Sequence, residues 1–273
     1  MKAMRQTSKT ILWMVSILAM SLILLSCKLG QSVQPVLTPT KISIPTTTST
    51  PVPAATSMHP TSTPVSIPDS LEQGIVAHYP FNGDANDVSG NEYHGVVHGV
   101  ALSADRFGDS NKAYGFDGAG DYIEIPDIGT YDQLTESLWV YYKGTSHIAV
   151  LNCHTEWDAN YLHFEITDNR VEFAIHGKNS DQFSDFIFGP STLDQWHHIA
   201  VTYDASTGKI QFYIDGRLDA VRQYDVPRPV IVGPAWIGGW NRESRWFLGS
   251  LDDIRIYDHV LTASEIQTLY QGK

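Results

Sequence analysis

Short runs of alternating apolar residues, separated by glycine, asparagine and aspartate, recur along the chain from Ile75 onward. Alternation with a period of two is typical of half-buried β-strands, and turn residues every 8–12 positions or so are typical of a sandwich or jelly roll. The pattern predicts strands at 75–79, 94–98, 122–125, 137–141, 162–166, 171–175, 196–203, 209–214 and 251–257. The predicted fold class is therefore all-β.

Two turns and one strand define the expected pairing and the expected core face. Asp168-Asn169 and the segment 204–208 each separate two strands, and each pattern predicts a hairpin. In the strand at 196–203, alternation places His197, Ile199, Val201 and Tyr203 on one face, which we expect to be the core face. The other face then carries Trp196, His198, Ala200 and Thr202.

One helix is signalled at the end of the chain. Thr262 and Glu265 have the spacing of a capping box, in which each side chain bonds the backbone amide of the other. Ile266, Leu269 and Tyr270 then share one helical face. We expect a helix of two to three turns, about the shortest common length, packed on the sandwich.

The first 27 residues have the layout of a secretory leader. Lys2, Arg5 and Lys9 precede the apolar run Ile11–Leu25, which is short for a membrane-spanning helix. Leu24-Leu25-Ser26-Cys27 resembles the lipobox of bacterial lipoproteins. That resemblance implies a signal peptide at 1–26, cleavage before Cys27, and a lipid anchor on Cys27 at the cell surface or cell envelope.

A stalk is predicted at residues 27–70. Residues 28–70 contain eight prolines, nine threonines and seven serines, and no aromatic residue. Such a segment cannot bury enough apolar area to offset the entropy of ordering it. We therefore expect an extended, disordered tether that carries a folded domain at 71–273.

The predicted domain is strongly acidic. Five of the 18 Lys and Arg residues and one of the 30 Asp and Glu residues lie in residues 1–70, so residues 71–273 carry 13 basic and 29 acidic side chains, a net charge of −16. This charge repels phosphate backbones and argues against nucleic-acid binding. It is compatible with cation binding.

Five segments of the domain resemble a LamG-like jelly roll of the concanavalin A-like lectin/glucanase superfamily. They occur in the family's order and are residues 79–91, His94-Gly95, 114–123, 195–204 with its hairpin mate ending at 213–216, and 247–257. The resemblance implies two antiparallel sheets with the two ends of the domain close together. It says less about function, because one fold carries many different sites.

The same resemblance implies a structural calcium ion. Calcium takes six to eight oxygen ligands, about half of them often carboxylates. The positions that match are Asp252 by its side chain, Gly118 by its carbonyl, and the loop with Asn82 and Asp84. The alternative is that Asp252 is solvated, or that it caps nearby amides and pairs with Arg255.

Catalytic patterns are missing from the sequence. The glucanases of the superfamily carry Glu-x-Asp-x-(x)-Glu on one strand, and Glu156–Asp158 begins like this motif, but Asn160 and Tyr161 stand where the second glutamate belongs. Glu165 and Asp168 are three apart and so face opposite ways on a strand. We therefore expect that no two acids converge on a cleft closely enough to cleave a glycosidic bond, and that the protein is not an enzyme.

Clustered aromatic and polar residues point to ligand binding instead. Tryptophan and tyrosine rings stack on the apolar faces of sugars, while amide and charged groups hold the hydroxyls. The candidate ligand-binding residues are Trp240, Trp246, Asn241, Arg242, Trp157 and Tyr161. Trp139 and Trp236 adjoin apolar strand residues and are expected to be buried, as is Cys153.

The sequence as a whole favours a membrane-anchored, non-catalytic module that recognises an extracellular ligand. A glycan is the first expectation and a protein partner is the alternative, because protein interfaces use the same residue types. An enzyme acting on polysaccharide is the third.

Overall fold

A computed structural model describes residues 71–144, 148–153, 160–177, 180–240 and 244–272, all within the compact unit Thr61–Lys273. Several predicted features lie outside the described residues: the signal peptide at 1–26, the stalk at 27–70 with Cys27, and the candidate ligand-binding residues Trp157, Asn241 and Arg242. Within the described part, no helix is long and apolar enough to cross a membrane.

The first sheet of the described part has eight strands. Its order is β14-β13-β12-β7-β17-β4-β3, and β1 pairs with β17 beside this path. All of its pairings are antiparallel. The bounds are β1 Ile75–Tyr79, β3 Ala101–Ser103, β4 Ala113–Asp117, β7 Gln133–Tyr142, β12 Trp196–Asp204, β13 Lys209–Ile214, β14 Arg217–Gln223 and β17 Leu248–Tyr257.

The second sheet of the described part has seven strands in the order β11-β10-β9-β8-β16-β5-β2, again antiparallel. The bounds are β2 Val96–His98, β5 Tyr122–Ile125, β8 Ile148–Cys153, β9 Leu162–Thr167, β10 Arg170–Ile175, β11 Gln182–Phe183 and β16 Ala235–Ile237. A short pair, β6 Gly129–Tyr131 with β15 Val230–Val232, accompanies the two sheets. The predicted two-sheet antiparallel jelly-roll sandwich is confirmed.

The core lies between the two sheets and follows the alternation read from the sequence. Ile199, Val201 and Tyr203 of β12 are each no more than 1% exposed and belong to one apolar cluster with the inward residues of the second sheet. Ala200 faces the opposite way and joins a separate cluster under the helix. Cys153 is a buried free thiol in the core cluster, and burial raises its pKa to about 12.

The two ends of the domain meet, as the family resemblance implies. β1 pairs with the C-terminal half of β17, from Ile75 opposite Tyr257 to Tyr79 opposite Ile254. The helix α1, Ala263–Gln271, follows β17 and has the predicted capping box between Thr262 and Glu265. It covers the outer face of the first sheet.

The loop after β1 is fastened by one buried carboxylate. Asp87 accepts hydrogen bonds from the backbone amides of His78, Ser89 and Tyr93 at 2.9, 2.9 and 3.1 Å. Burial alone would raise the pKa of Asp87, but these amide donors lower it overall. The segment between β1 and β2 is therefore an ordered connection.

Several strand boundaries differ from the prediction, among them the start of β7 at Gln133 rather than Ser137, and Gly249 explains one of the others. The last strand begins at Leu248 rather than Leu251, and β2 begins at Val96 rather than His94. Gly249 has a φ of +146°, and a Cβ there would lie 2.0 Å from the carbonyl oxygen of Tyr141. Glycine ordinarily interrupts a strand, but here the missing Cβ of Gly249 lets β17 run close beside β7.

Candidate functional site

The outer face of the second sheet carries an unusual set of side chains. Residues that alternate with the core positions of its strands point away from the core. They are Tyr122 and Glu124 of β5, Asn152 of β8, His163 and Glu165 of β9, Glu172 of β10, and Trp236 of β16. We call this surface the second-sheet face.

A hairpin places two tryptophans on the second-sheet face. The amide of Phe247 donates to the carbonyl of Gly238 at 2.9 Å, and Trp240 forms a bridge with Ser244. Trp246 lies so close above Gly239 that a Cβ there would be 2.6 Å from the indole ring. Both Trp240 and Trp246 are partly exposed.

An aromatic row crosses this face from strand to strand. The ring of Tyr122 lies 4.4 Å from that of His98 and 4.1 Å from that of Trp236, with interplanar angles of 16° and 22°. Trp246 lies 6.3 Å from Trp236 at 14°. Stacking occupies the ring faces of the buried Trp236 and of Tyr122, which lies between His98 and Trp236. The partly exposed Trp246 and His98 are therefore the rings of this row that a ligand can reach.

An ion pair lies beside the tryptophans. Arg245 Nη1 is 2.5 Å from Glu165 Oε1, and the Arg245 guanidinium stands 4.4 Å from the ring centroid of Trp240. The Asn152 amide also donates to Glu165, whose side chain is 0% exposed. Arg245 therefore supplies a partly exposed cationic donor, and Glu165 is its buried counter-charge.

Two histidines line the same cluster in the neutral form. The rings of His163 and His176 are 3.6 Å apart. Burial lowers the pKa of His176 to about 4, with the neighbouring His163 as a second cause, and burial likewise lowers the pKa of His163. Across the residues that the structure describes, no three His, Cys, Asp or Glu side chains gather in a metal-binding arrangement.

Two acids face each other across β9 and β10, and the sequence analysis missed them. Glu172 is the direct cross-strand partner of Glu165, and such residues have Cα atoms about 4.5–5.5 Å apart. A motif search along one strand cannot find a pair formed between two strands. Both side chains are buried, however, at 0% and 6% exposure, and Glu165 is committed to Arg245 and Asn152.

A serine–histidine contact on the other sheet is also buried. Ser137 Oγ is 2.8 Å from His198 Nε2, and His198 Nδ1 has no partner. Trp139 and Tyr270 pack against the imidazole ring. A nucleophile–base pair needs access to substrate and a third group that orients the base, and this pair has neither.

The predicted calcium ligands do not assemble. Asp252 lies in a cleft of ≈ 560 Å³, where its Oδ2 forms a salt bridge of 2.6 Å with Arg106 Nη1. Burial raises the pKa of Asp252 to about 7, although the charge of Arg106 acts to lower it. Gly118 packs on Leu248, four residues along β17 and so roughly 13 Å from Asp252. Asn82 lines the cleft with an exposed side chain.

Asp84 is also engaged elsewhere. Its exposed carboxylate accepts from the backbone and side-chain nitrogens of Asn86 at 3.0 and 2.8 Å. Calcium needs several free oxygens around one point, and Asp252, Asn82, Asp84 and Gly118 do not provide them as they stand. Calcium at these residues stays a prediction that this geometry does not support.

The family model described as the concanavalin A-like lectin/glucanases superfamily matches residues 117–267, more than half of the chain. The chain belongs to this superfamily. The match begins at the turn after β4 and ends inside α1, so it includes the hairpin with Trp240 and Trp246.

Curated relatives of this chain include pentraxins. Pentraxin-4 of Homo sapiens is 28% identical over 133 residues, which is 41% of this chain and 28% of that protein. Jeltraxin of Lepidobatrachus laevis is 27% identical over 121 residues, 41% of this chain and 52% of that protein. The chain thus spans about half or less of the length of these relatives.

Solved structures share the fold. Domain 4 of AbnA, an extracellular arabinanase of family GH43 from Geobacillus stearothermophilus, was solved with arabinotriose and matches at a TM-score of 0.57 and 24% identity, over 72% of this chain and 98% of that one. The ligand-binding domain of botulinum neurotoxin serotype D, solved with N-acetylneuraminic acid, matches at 0.60 and 16% identity, over 75% and 52%.

Proposed function

We propose that this protein is a non-catalytic carbohydrate-recognition module held at the outer side of a membrane, and that the second-sheet face is its binding surface. The observation that carries the proposal is the pair of partly exposed tryptophans, Trp240 and Trp246, with Arg245 between them in sequence and its guanidinium over the Trp240 ring. Indole rings supply flat apolar contact for a sugar ring, and the guanidinium supplies donors for its hydroxyls.

The neighbouring groups extend this surface. Tyr122 lies 6.2 Å from Trp246 by ring centroids, and the exposed pair His98 and Glu124, 3.5 Å apart, lies beyond it. A line of aromatic and hydrogen-bonding groups of this kind suits a linear oligosaccharide. The arabinotriose held by AbnA domain 4, which has the same fold, supports an oligosaccharide as the ligand class.

The test is a glycan array and titration calorimetry on the wild type and two variants. Trp240→Ala and Trp246→Ala each remove one indole, and we expect each to weaken binding of the best array ligand by about tenfold or more. Trp196→Ala is the matched control, because Trp196 is a partly exposed tryptophan on the first sheet, where it packs on Tyr141. Equal losses in all three variants would contradict the placement of the site.

A protein partner is the alternative, and exposed apolar residues at the sandwich edge favour it. Val96 and Val97 of β2 are 57% and 39% exposed, and Leu102 of β3 is 37% exposed. Both strands lie at the end of their sheets. Charged residues at Val96 and Leu102 would abolish capture of a protein partner and leave a glycan signal unchanged, which separates the two functions.

The proposal excludes bond cleavage because the facing acids are buried. A glycosidase needs one carboxylate at the reacting carbon and a second at the leaving oxygen. Glu165 is fully buried against Arg245, and Glu172 is 6% exposed. Release of reducing sugar from any polysaccharide, lost in Glu172→Gln, would overturn this part of the proposal.

The anchor and the location belong to the proposal as well. The lipobox-like segment ending at Cys27 supports lipidation of that cysteine, and residues 28–70 support an exposed tether. In cells fed an alkyne fatty acid, the wild type should be labelled and Cys27→Ser should not. Labelling of Cys27→Ser would contradict this anchor.

A further inference from the structure

Arg106 lies on a tight loop between β3 and β4 that holds it in one place. The Asp105 side chain accepts hydrogen bonds from the backbone amides of Phe107 and Asp109, both at 2.8 Å. The backbone amide of Asp105 donates a hydrogen bond to the carbonyl of Asp109 at 3.1 Å. The Arg106 guanidinium lies 4.6 Å from the ring centroid of Phe107 and 4.8 Å from that of Trp139. The side chain is 9% exposed, so the cation is both positioned and largely dehydrated.

The guanidinium joins two consecutive carboxylates of β17. Its Nη1 lies 2.6 Å from Asp252 Oδ2, and its Nη2 lies 3.6 Å from Asp253 Oδ2. The strand is irregular here: the pairing of β17 with β7 shifts between Asp252 and Arg255, and Asp253 has a φ of +50°. The irregularity turns both side chains toward one cleft, although neighbours on a regular strand point to opposite faces.

Two further side chains, from β1 and β17, contact Asp253. His78 Nε2 of β1 is 2.8 Å from Asp253 Oδ1, and Arg255 Nε is 3.0 Å from the same oxygen. The cleft thus ties together β1, the loop after β3 and β17, three segments far apart in sequence.

We infer that Arg106 takes the structural place of a metal ion in this cleft, cross-linking Asp252 and Asp253 to the loop, so that the fold is independent of calcium and a cation enters only when the arginine is removed. The charge of Arg106 and its reach to both acids support this inference. Two adjacent acids in a mostly buried cleft are both ionised only beside a compensating cation. The guanidinium donates to Asp252 and brings its charge within 3.6 Å of Asp253, while its planar face lies against the rings of Phe107 and Trp139, a geometry that a compact lysine ammonium does not reproduce.

The first measurement needs no variant. The full chain is unfolded thermally at pH 7.5 in 5 mM calcium, which is about five times the Kd of the weakest extracellular calcium sites, and in excess EDTA. We expect the same Tm in both. A Tm that falls in EDTA would overturn the inference.

The second measurement uses terbium, which binds calcium-type oxygen sites and emits when a nearby tryptophan is excited. Trp139, already in contact with the guanidinium, is the donor. We expect no sensitised emission from the wild type and clear emission from Arg106→Ala, abolished by Asp252→Asn in the same background. Wild-type emission that Asp252→Asn removes, or no emission from Arg106→Ala, would refute the inference.

Stability measurements provide the control for folding. Arg106→Ala should lower Tm by about 10 °C, because it leaves buried charge uncompensated. Arg222→Ala breaks a bond of the same 2.6 Å length to Asp185, whose side chain is 65% exposed, and should lower Tm by about 2 °C or less. Should Arg106→Ala fail to fold, Arg106→Lys keeps the charge without the planar guanidinium. It should fold, be less stable than wild type, and show no terbium emission. A wild-type Tm for Arg106→Lys would count against a role for the guanidinium beyond its charge.

Discussion

Glu136 is a buried acid in the middle of the core. It lies on the inward side of β7 between Leu134 and Leu138, opposite Val201 and Ile256 of the neighbouring strands. Its side chain is 2% exposed, and within the described part of the chain neither carboxylate oxygen has a hydrogen-bond partner. Burial therefore raises the pKa of Glu136 well above its usual value of 4.5.

The sign and size of the effect on stability follow from proton linkage. Below pH 4.5 Glu136 is protonated in both states and contributes no pH dependence. Above it the unfolded chain loses the proton while the folded chain keeps it, so the folded state is penalised. The free energy of unfolding then falls by about 1.4 kcal/mol per pH unit until the folded pKa is reached.

Glu136→Gln removes this dependence and keeps the shape of the side chain. We expect the variant to match the wild type near pH 4 and to gain about 1.4 kcal/mol over it between pH 5 and pH 6. Urea unfolding followed by tryptophan fluorescence measures the difference. The control is Glu72→Gln at an exposed glutamate, which should follow the wild type throughout. A Glu136→Gln difference that is constant from pH 4.5 to 7 would refute the reasoning.

Three further predictions concern the fold. Asp87→Ala removes the acceptor of three backbone amides and should lower the free energy of unfolding by about 3 kcal/mol at pH 7, measured by urea unfolding. Because the pKa of Asp87 is lowered in the folded state, this advantage of the wild type should be present above pH 3.8 and fade as pH falls below it. Thr262→Ala breaks the capping box and should cost about 1 kcal/mol by the same assay. Gly249→Ala should lower Tm by more than Asp87→Ala or Thr262→Ala does, because the added Cβ would overlap the carbonyl oxygen of Tyr141.

Local pattern predicted most of the sandwich. Alternation alone identified the core face of β12, with Ile199, Val201 and Tyr203 inside, and the turn Asp168-Asn169 joins β9 to β10 as expected. Those features depend on neighbours in sequence. The prediction that Trp139 and Trp236 are buried is confirmed, but both lie on outer sheet faces, because other aromatic rings cover them.

Contacts between distant segments were not predictable from spacing. Arg106 meets Asp252 across 146 positions, and Arg245 meets Glu165 across 80. The sequence around each arginine does not indicate its acidic partner, because strand order and register decide which side chains meet. The calcium expectation at Asp252 considered Arg255 as the competing cation, whereas the structure pairs Arg255 with Asp253 and gives Asp252 to Arg106.

Leu71 enters the domain on the side away from the proposed binding surface. It is buried with Leu261, Ile266 and Leu269 of the helical end, over the first sheet, whereas Trp240 lies on the second. Tension between a captured ligand and the chain ahead of Leu71 would thus pass through the full thickness of the sandwich. With the proposed tether in residues 28–70, this tension would load the ladder of β1 on β17 first, so we expect that short ladder to open before the rest of the sandwich.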